Sequence, residues 1–308
     1  MRARTSDQAR VTSAGLLVEG ASTNAILYSR DATAVVWEDG GIATNCTRTA
    51  TGMDGSTLVA RCAAGSIQQV LTVATGSRTA SAYVRCQACL SGSATISADG
   101  STSTPATLSG SWQRIVVPYT SDGNITVTIT SDQSFDVDYV QDEAGGFATS
   151  PIATLGTATT RASDRVTVAQ PDGMSADEGC VSLSFAPLWT GNGQTRSTSI
   201  ALAYITSSFR PLFSNPASPN MAVTASGVTA STPSVFVTGS AKRYASRWSA
   251  SGGFLRVENL TTATSASQPF GAMTPGPIAI GSATSSDVYW ADGRYTGLVV
   301  GAAPEACQ

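Results

Sequence analysis

Two aspartates, Asp136 and Asp138, have the residue type and spacing that come closest to a catalytic pair. They lie in SFDVDYVQ, where polar and apolar residues alternate, and this pattern predicts a β-strand with both carboxylates on one face. Such a pair could act as the acid and base of a glycoside hydrolase, or bind Ca²⁺, which takes oxygen ligands. The alternative, which we favour, is a solvated outer face opposite the apolar residues Phe135, Val137 and Tyr139.

Histidine is absent from the 308 residues. Its absence removes the usual general base, the Ser–His and Cys–His nucleophile systems and the commonest metal ligand. We therefore predict no cofactor and no catalytic residues. The Ca²⁺ candidates Asp136 and Asp138 are the one exception to an expectation of no metal site.

Six cysteines introduce thiol chemistry. Cys86-x-x-Cys89 has the spacing of zinc and redox motifs, but neither a second pair at short spacing nor a histidine completes a zinc site. Cys46 and Cys62 flank an Asp-Gly turn and could face each other on paired strands, forming a disulfide in an oxidising compartment. Cys89 and Cys307 are candidates for crosslinks between subunits. Free buried thiols are the alternative for Cys62, Cys86 and Cys180.

Aromatic side chains could form a platform for a sugar, because ring faces stack on the C–H surfaces of saccharides. Tyr289, Trp290 and Tyr295 surround the turn at Asp292, and Trp189 lies near a Gly-Asn-Gly loop. We predict glycan contacts for these five residues, with Tyr289, Trp290 and Asp292 first among them. The alternative is packing in the core or against another subunit.

Composition and charge limit the class of protein. Hydrophobic residues make up 42% of the chain and charged residues 13%, with 29 glycines, which favours an all-β protein with a real core and many turns. The net charge of −3 gives no electrostatic reason to expect nucleic acid as a partner. Without a run of about 18 apolar residues we expect no membrane insertion, and we expect no signal peptide at the basic N-terminus.

The distribution of strand patterns predicts two domains. Short alternating segments separated by Asp-Gly turns fill both halves of the chain, and they predict two β-sandwich (jelly-roll) domains in tandem. The segment 147–168 contains few bulky apolar residues and is predicted to cross between the domains. The expected divisions are an N-terminal arm at 1–14, a first domain at 15–146, the crossing segment at 147–168 and a second domain at 169–308.

Several motifs in the first half resemble a family of bacteriophage virion proteins. They are GLLVEGASTNAILYSRDATAVVW, DGSTLVA, ASAYVR, GSWQRIVVPYT and VDYVQDEAGGFATSPIATLGTATTRASDRV, with Pro151 standing where the family usually has tyrosine. In the second half, YASRWSASGGFLRVENL, PIAIGSATSS and GRYTGLVV resemble a concanavalin-like, laminin-G-type sandwich. The resemblance implies a carbohydrate-binding-module-like jelly roll followed by a concanavalin-like domain, with Trp112 and Trp248 as packing residues.

The resemblance also implies a function. We expect a structural protein of a bacteriophage virion, either a head decoration or fibre protein or a tail-fibre component, at the virion surface. Expected partners are other virion proteins of the capsid or tail, further copies in a homo-oligomer (first a trimer), and host surface carbohydrate. Glycosidases of the concanavalin-like type carry a Glu-x-Asp-x-x-Glu strand that this chain lacks, so we predict that it is not an enzyme. The alternatives are a capsule or polysaccharide depolymerase using Asp136 and Asp138, and a stand-alone lectin-like protein.

Overall fold

The structure is a computed structural model, and its secondary-structure elements are β-strands. It describes residues 10–39, 42–43, 45–55, 57–89, 91–164, 166–169, 172–175, 178–188, 200–204, 209–215, 220–225, 228–233, 239–249, 252–257, 260–264, 277–281, 293–302 and 307. Within these ranges, no helix has the length and apolar character that crossing a membrane requires.

The strands are numbered in chain order. They are β1 (Arg10–Thr12), β2 (Gly15–Val18), β3 (Ser22–Asn24), β4 (Glu38–Asp39), β5 (Ile42–Ala43), β6 (Cys46–Thr51), β7 (Leu58–Cys62), β8 (Gly65–Thr72), β9 (Gly76–Arg85), β10 (Ser93–Ala98), β11 (Ser101–Thr102), β12 (Ala106–Thr107), β13 (Gln113–Ser121), β14 (Asn124–Ser131), β15 (Phe135–Ala144), β16 (Thr159–Arg161), β17 (Val166–Val168), β18 (Gly179–Pro187), β19 (Ile200–Tyr204), β20 (Phe209–Asn215), β21 (Asn220–Ala225), β22 (Val228–Pro233), β23 (Lys242–Ser249), β24 (Gly252–Val257), β25 (Leu260–Thr264), β26 (Ile278–Ile280) and β27 (Gly293–Gly301).

These strands form two compact units. The first unit contains Ser22–Arg161, and the second contains the described residues from Ala162 onwards together with those before Ser22. The N-terminal strands therefore belong to the second unit, because β1 pairs with β2 and β2 pairs with β27. The sequence-based division places Gly15–Ala21 in the first domain and residues 147–168 in a separate crossing segment, whereas the structure changes units between Arg161 and Ala162.

The first unit is a β-sandwich. One sheet has the order β13-β9-β15-β7-β6, and the other has the order β11-β10-β14-β8-β4-β5 with β12 beside β10. Apolar side chains of both sheets form one buried cluster. On β14, Ile125, Val127 and Ile129 are buried while the threonines between them are not, as the alternating pattern predicts. A separate ladder joins β3 to β16.

A tight turn illustrates how the sequence determines the strand register. Asp99 and Gly100 link β10 to β11 and have φ angles of 47° and 77°. Two successive positive φ angles are the geometry of a type I′ hairpin turn, which Asp-Gly accommodates with little strain. The Asp-Gly pair thus fixes the register of Ala98 opposite Ser101.

The second unit also has two sheets. Their orders are β1-β2-β27-β18-β23-β24-β25 and β17-β26-β19-β20-β21-β22. β18 is central to the first of these sheets, and Val181, Leu183 and Phe185 on it are fully buried. All-β architecture with paired sheets therefore holds for both halves of the chain.

All six cysteines are paired within the chain. Cys46 lies directly opposite Cys62 on β6 and β7, with their Cα atoms 4.0 Å apart, as the sequence suggested. Cys86 follows the end of β9 and bonds Cys89 across a turn.

The pairing of Cys307 corrects two expectations. Cys307 bonds Cys180 of the same chain, so neither Cys307 nor Cys89 keeps a thiol for a crosslink between subunits. The alternative of free buried thiols is wrong for the same reason. The sequence separation of 127 residues between Cys180 and Cys307 concealed their proximity.

We predict that the long disulfide stabilises the second unit far more than the short one stabilises the first. Replacing Cys180 and Cys307 by serine opens a loop of 127 residues and should lower the free energy of unfolding by roughly 5 kcal/mol, on the chain-entropy account. The matched control replaces Cys86 and Cys89, separated by 3 residues, with an expected loss of roughly 1.5 kcal/mol. Urea unfolding without reductant measures both, and equal losses would contradict the prediction.

Candidate functional site

A cleft of about 550 Å³ opens on the first unit. This volume lies within the range of small-molecule sites. Its wall contains one aromatic ring, two arginines, one carboxylate and several threonines. The lining residues, hereafter the Tyr28 cleft, are Tyr28, Arg30, Asp31, Arg48, Thr57, Ala153, Thr154, Leu155, Thr157 and Thr159.

The backbone of Tyr28 has an unusual conformation. Its φ angle is 51°, in the left-handed region that bulky residues rarely adopt. Hydrogen bonds hold it there, because the Tyr28 N–H donates to the Leu155 carbonyl at 2.8 Å and the Tyr28 carbonyl accepts from the N–H of Asp31 at 2.9 Å. A strained residue held by its surroundings is typical of ligand sites.

Arg30 forms the floor of the cleft. Its Nε and Nη2 donate to the two oxygens of Asp138 at 2.7 and 2.9 Å, and its Nη1 donates to Asp54 at 2.7 Å. Burial alone would lower the pKa of Arg30, but the hydrogen bonds that Arg30 donates to Asp138 and Asp54 outweigh burial and raise this pKa above its usual value. The guanidinium also lies 4.2 Å from the ring centroid of Tyr139, a second tyrosine with positive φ, 45°. Arg30 is therefore a fixed, permanently charged group.

A more exposed ion pair lies at the rim. The Arg48 side chain is 51% exposed, and its Nη1 is 3.3 Å from Asp31 Oδ2. The Arg48 Nε donates to the carbonyl of Leu58, and the other oxygen of Asp31 accepts from Thr33. An exposed pair of this kind contributes little stability, so its charged groups can exchange their partners at small cost.

The Asp136 and Asp138 carboxylates do not face solvent, so the expectation of a solvated outer face is wrong. They are 1% and 0% exposed. Arg61 and Arg85 donate to Asp136 at 2.7 and 2.9 Å through their Nε atoms, and Arg30 donates to both oxygens of Asp138. The arginines cover the outer face of β15, to which the alternating sequence pattern assigned both carboxylates. A substrate cannot reach either carboxylate, and guanidinium groups occupy the positions that the Ca²⁺ hypothesis gave to a cation.

The remaining acidic residues of β15 are buried as well. Asp142 accepts from Arg78 at 2.5 and 3.0 Å and from the Tyr119 hydroxyl at 2.5 Å. Burial and then the Asp142 carboxylate raise the pKa of Tyr119, which stays a hydrogen-bond donor. Glu143 accepts from the hydroxyls of Ser22 and Thr149. Among the described residues, no group of three or more cysteine or acidic side chains is arranged to hold a metal ion.

Of the five residues predicted to bind glycan, the structure describes one. Tyr289, Trp290, Asp292 and Trp189 lie outside the described residues. Tyr295 is 3% exposed and its ring centroid lies 4.8 Å from that of Phe185, so its ring is packed in the core and closed to a sugar.

Sequence reasoning missed the Tyr28 cleft. Its residues come from three segments, near positions 28–31, 48–57 and 153–159, which only the folded chain brings together. The motif YSRD contains Tyr28, Arg30 and Asp31, but nothing in its spacing shows that Arg30 would meet a carboxylate 108 residues away.

Comparison with known proteins finds similarity to solved structures at low sequence identity. No protein-family model and no curated protein matches the chain. The chain is similar in structure to a proposed carbohydrate-binding protein from Bacteroides ovatus, with 12% identity, coverage of 78% of this chain and 76% of that one, and a TM-score of 0.37. It is also similar to domains LG4-5 of the mouse laminin α1 chain (12% identity, 97% and 93% coverage, TM-score 0.30). A third is truncated AlyQ with CBM32 and alginate lyase domains (9%, 79% and 90%, TM-score 0.24). Identities and TM-scores this low carry no argument about ligand or activity.

We predict that Asp138 is a structural residue and not a catalytic one. Replacing it by asparagine leaves Arg30 buried without its main counter-charge and should lower the free energy of unfolding by about 3–5 kcal/mol. A catalytic aspartate would instead tolerate this isosteric change with little loss of stability. The control is Asp132→Asn at an exposed position, where a loss of about 1 kcal/mol or less is expected. A stable Asp138→Asn protein, measured by urea unfolding, would contradict the assignment.

Proposed function

We propose that this protein is a non-enzymatic structural component of a bacteriophage virion that binds host surface saccharide in the Tyr28 cleft. The virion assignment, as a head decoration or fibre protein or a tail-fibre component, is supported by the sequence motifs between Gly15 and Val166. A homo-oligomer, with a trimer as the first expectation, would present several copies of the cleft at the virion surface. Other virion proteins of the capsid or tail would anchor it.

The composition of the Tyr28 cleft is the observation that supports saccharide binding. Saccharides present hydroxyl groups and C–H faces, so their sites combine hydrogen-bonding groups with a ring. Thr57, Thr157 and Thr159 bring hydroxyls to the lining, Asp31 and Arg48 bring an acceptor and a donor at the rim, and Tyr28 brings the ring. Hydrogen bonds hold the Tyr28 backbone, the Arg30 guanidinium and the Thr57 hydroxyl in place before a ligand arrives, which lowers the entropic cost of binding.

Charge balance favours a neutral sugar at this position. Arg48 is paired with Asp31, and Arg30 is paired with both Asp54 and Asp138. Two arginines thus face three carboxylates, so a negatively charged sugar would meet no surplus of positive charge. A neutral sugar can replace part of the hydrogen bonding of the Arg48–Asp31 pair without bringing an unpaired charge into the cleft.

The burial of the carboxylates supports a binding role over an enzymatic one. Asp136, Asp138 and Asp142 are buried and accept hydrogen bonds from arginines, and the chain has no histidine to act as a general base. The depolymerase alternative depends on Asp136 and Asp138, and their burial removes its acid and base. The lectin-like alternative shares the cleft and differs in its location.

We predict that Tyr28→Asn weakens binding without unfolding the protein. Asparagine accepts a positive φ angle more readily than tyrosine, so the backbone is preserved while the ring is lost. Affinity for a neutral oligosaccharide, selected from a glycan array and measured by isothermal titration calorimetry, should fall about tenfold. Thr120→Ala, an exposed change on β13, is the control and should bind as the wild type does. Equal affinity of Tyr28→Asn and wild type would exclude the cleft as the site.

The virion location requires a separate prediction. Antibodies against the protein should label particles of the encoding phage by immunogold electron microscopy. Because all six cysteines are paired within the chain, the particle-derived protein should run as a monomer on both reducing and non-reducing denaturing gels. A reducible ladder of oligomers would contradict the intrachain pairing. Absence from purified particles, with binding of the saccharide retained, would support the lectin-like alternative.

A further inference from the structure

The outer face of the sheet β13-β9-β15-β7-β6 carries a row of charged side chains directly opposite one another. Arg85 on β9 lies opposite Asp136 on β15, which lies opposite Arg61 on β7. Residues opposite each other in antiparallel pairs share a face of the sheet. Trp112, just before β13, continues this row, and the Arg85 guanidinium lies 4.4 Å from its ring centroid. The expected packing role of Trp112 is therefore only partly met, because it is half-buried on the outer face.

A second row lies two residues along the strands. Arg114 on β13 is opposite Tyr83 on β9, and Tyr83 is opposite Asp138. The Arg114 guanidinium lies 5.3 Å from the ring centroid of Tyr83. Arg61, Arg85, Arg114, Tyr83 and Trp112 are hereafter the arginine face.

Arg114 differs from the other arginines in its partners. Its Nη2 donates to the Ser81 hydroxyl at 2.9 Å, whereas no carboxylate among the described residues lies within ion-pair distance. Its Nε has no hydrogen-bond partner within the part of the chain that the structure describes, although the atom is shielded from solvent. Because the Arg114 side chain is only partly buried, an added anion can reach its guanidinium group and supply a counter-charge there.

The charges of this face do not cancel. Arg61 and Arg85 share the single carboxylate of Asp136. Arg30, which lies beside the arginine face, is committed to Asp138 and Asp54, and Arg114 pairs with no carboxylate among the described residues. Four arginines therefore face three carboxylates, and the surplus positive charge falls at Arg114, in a chain whose net charge is −3. The sign of the face is thus opposite to that of the whole molecule.

The aromatic rings keep the guanidinium groups in a fixed orientation. A guanidinium that stacks on a ring leaves the N–H bonds at its edge available, and this edge matches the two oxygens of a carboxylate. The exposed side chain of Gln87, which accepts from Arg61 at 2.7 Å, adds a polar group to this face. Val116, 37% exposed, is the large apolar side chain that β13 exposes beside Arg114. Polar surroundings suit a hydroxylated ligand better than an apolar protein partner.

We propose that the arginine face binds the carboxylates of an acidic polysaccharide, with Arg114 as the principal contact. The ligand class is a polyuronate, whose sugar rings carry both hydroxyl groups and carboxylates. This inference rests on the proposed saccharide-binding function, but it uses residues outside the Tyr28 cleft and a different ligand charge. The two sites can therefore be tested separately.

The test measures binding of the full-length chain to polygalacturonate, alginate and hyaluronate by biolayer interferometry, with fully methyl-esterified polygalacturonate as the uncharged counterpart. Arg114→Gln should weaken binding to at least one polyuronate about tenfold, because it removes a charge-assisted bidentate contact. Arg114→Lys keeps the charge but loses the fork and the stacking, and should weaken binding severalfold. Higher salt should weaken the wild-type interaction with the polyuronate.

Arg294→Gln, an exposed arginine on β27, is the matched control for loss of one positive charge and should bind as the wild type does. Thermal unfolding verifies that each variant is folded, and Arg114→Lys keeps the test decisive if Arg114→Gln unfolds. Equal losses for Arg114→Gln and Arg294→Gln would overturn the proposal, as would absence of binding to all three polyuronates. Equally tight, Arg114-dependent binding of single-stranded DNA would overturn the assignment to saccharide.

The two proposals fail in different ways. Binding of neutral sugar at the Tyr28 cleft without any polyuronate binding would reject the arginine face and leave the proposed function in place. Polyuronate binding that depends on Arg114, together with equal affinity of Tyr28→Asn and the wild type for the neutral oligosaccharide, would support the arginine face and reject the cleft. Absence of binding to neutral and acidic saccharides alike would reject both.

Discussion

The first unit depends on the hydrogen bonds and ion pairs that other residues donate to the buried carboxylates of β15. Asp136, Asp138, Asp142 and Glu143 are each 1% exposed or less, on a strand buried on both faces. An unpaired buried carboxylate costs several kcal/mol, so the fold requires a donor for every one of them. Except for Thr149, the donors come from distant parts of the chain. They are Arg30, Arg61, Arg78, Arg85, Tyr119, Ser22 and Thr149.

This network also prepares the two surfaces proposed to bind saccharide. Arg30 lines the Tyr28 cleft and at the same time bonds Asp138, which lies opposite Tyr83 of the arginine face. The tyrosines on either side of Arg30, Tyr28 and Tyr139, both have positive φ angles, which cost about 1–3 kcal/mol each. Such strain persists only where surrounding contacts over-determine the backbone, and the ion pairs of Arg30 are contacts of that kind. The ligand-facing groups are therefore held by interactions that ligand binding need not create.

Sequence patterns predicted the strands better than the positions of charged side chains. The alternation of apolar residues and threonines matches β14, and the pattern SFDVDYVQ matches most of β15. The Cys46–Cys62 pair followed from a local turn. The error at Asp136 and Asp138 arose because alternation gives the face of a residue but not what covers that face. The arginines that cover it lie 51 to 108 residues away along the chain, in three different segments. Cys180 and Cys307 are a comparable case, because 127 residues separate the two partners.

The two surfaces together suggest how one short sandwich can discriminate among polysaccharides. The Tyr28 cleft, where carboxylates outnumber arginines, disfavours an acidic sugar, whereas the arginine face has a surplus of positive charge that favours one. A polymer that alternates neutral and acidic sugars could occupy both, because Asp138 ties the floor of the cleft to the second row of the arginine face. The second contact would then be intramolecular, and modest affinities at each position would combine into a much tighter one. A wholly neutral or wholly acidic polymer would bind at one surface only. The protein would therefore recognise a polymer by its composition of neutral and acidic sugars.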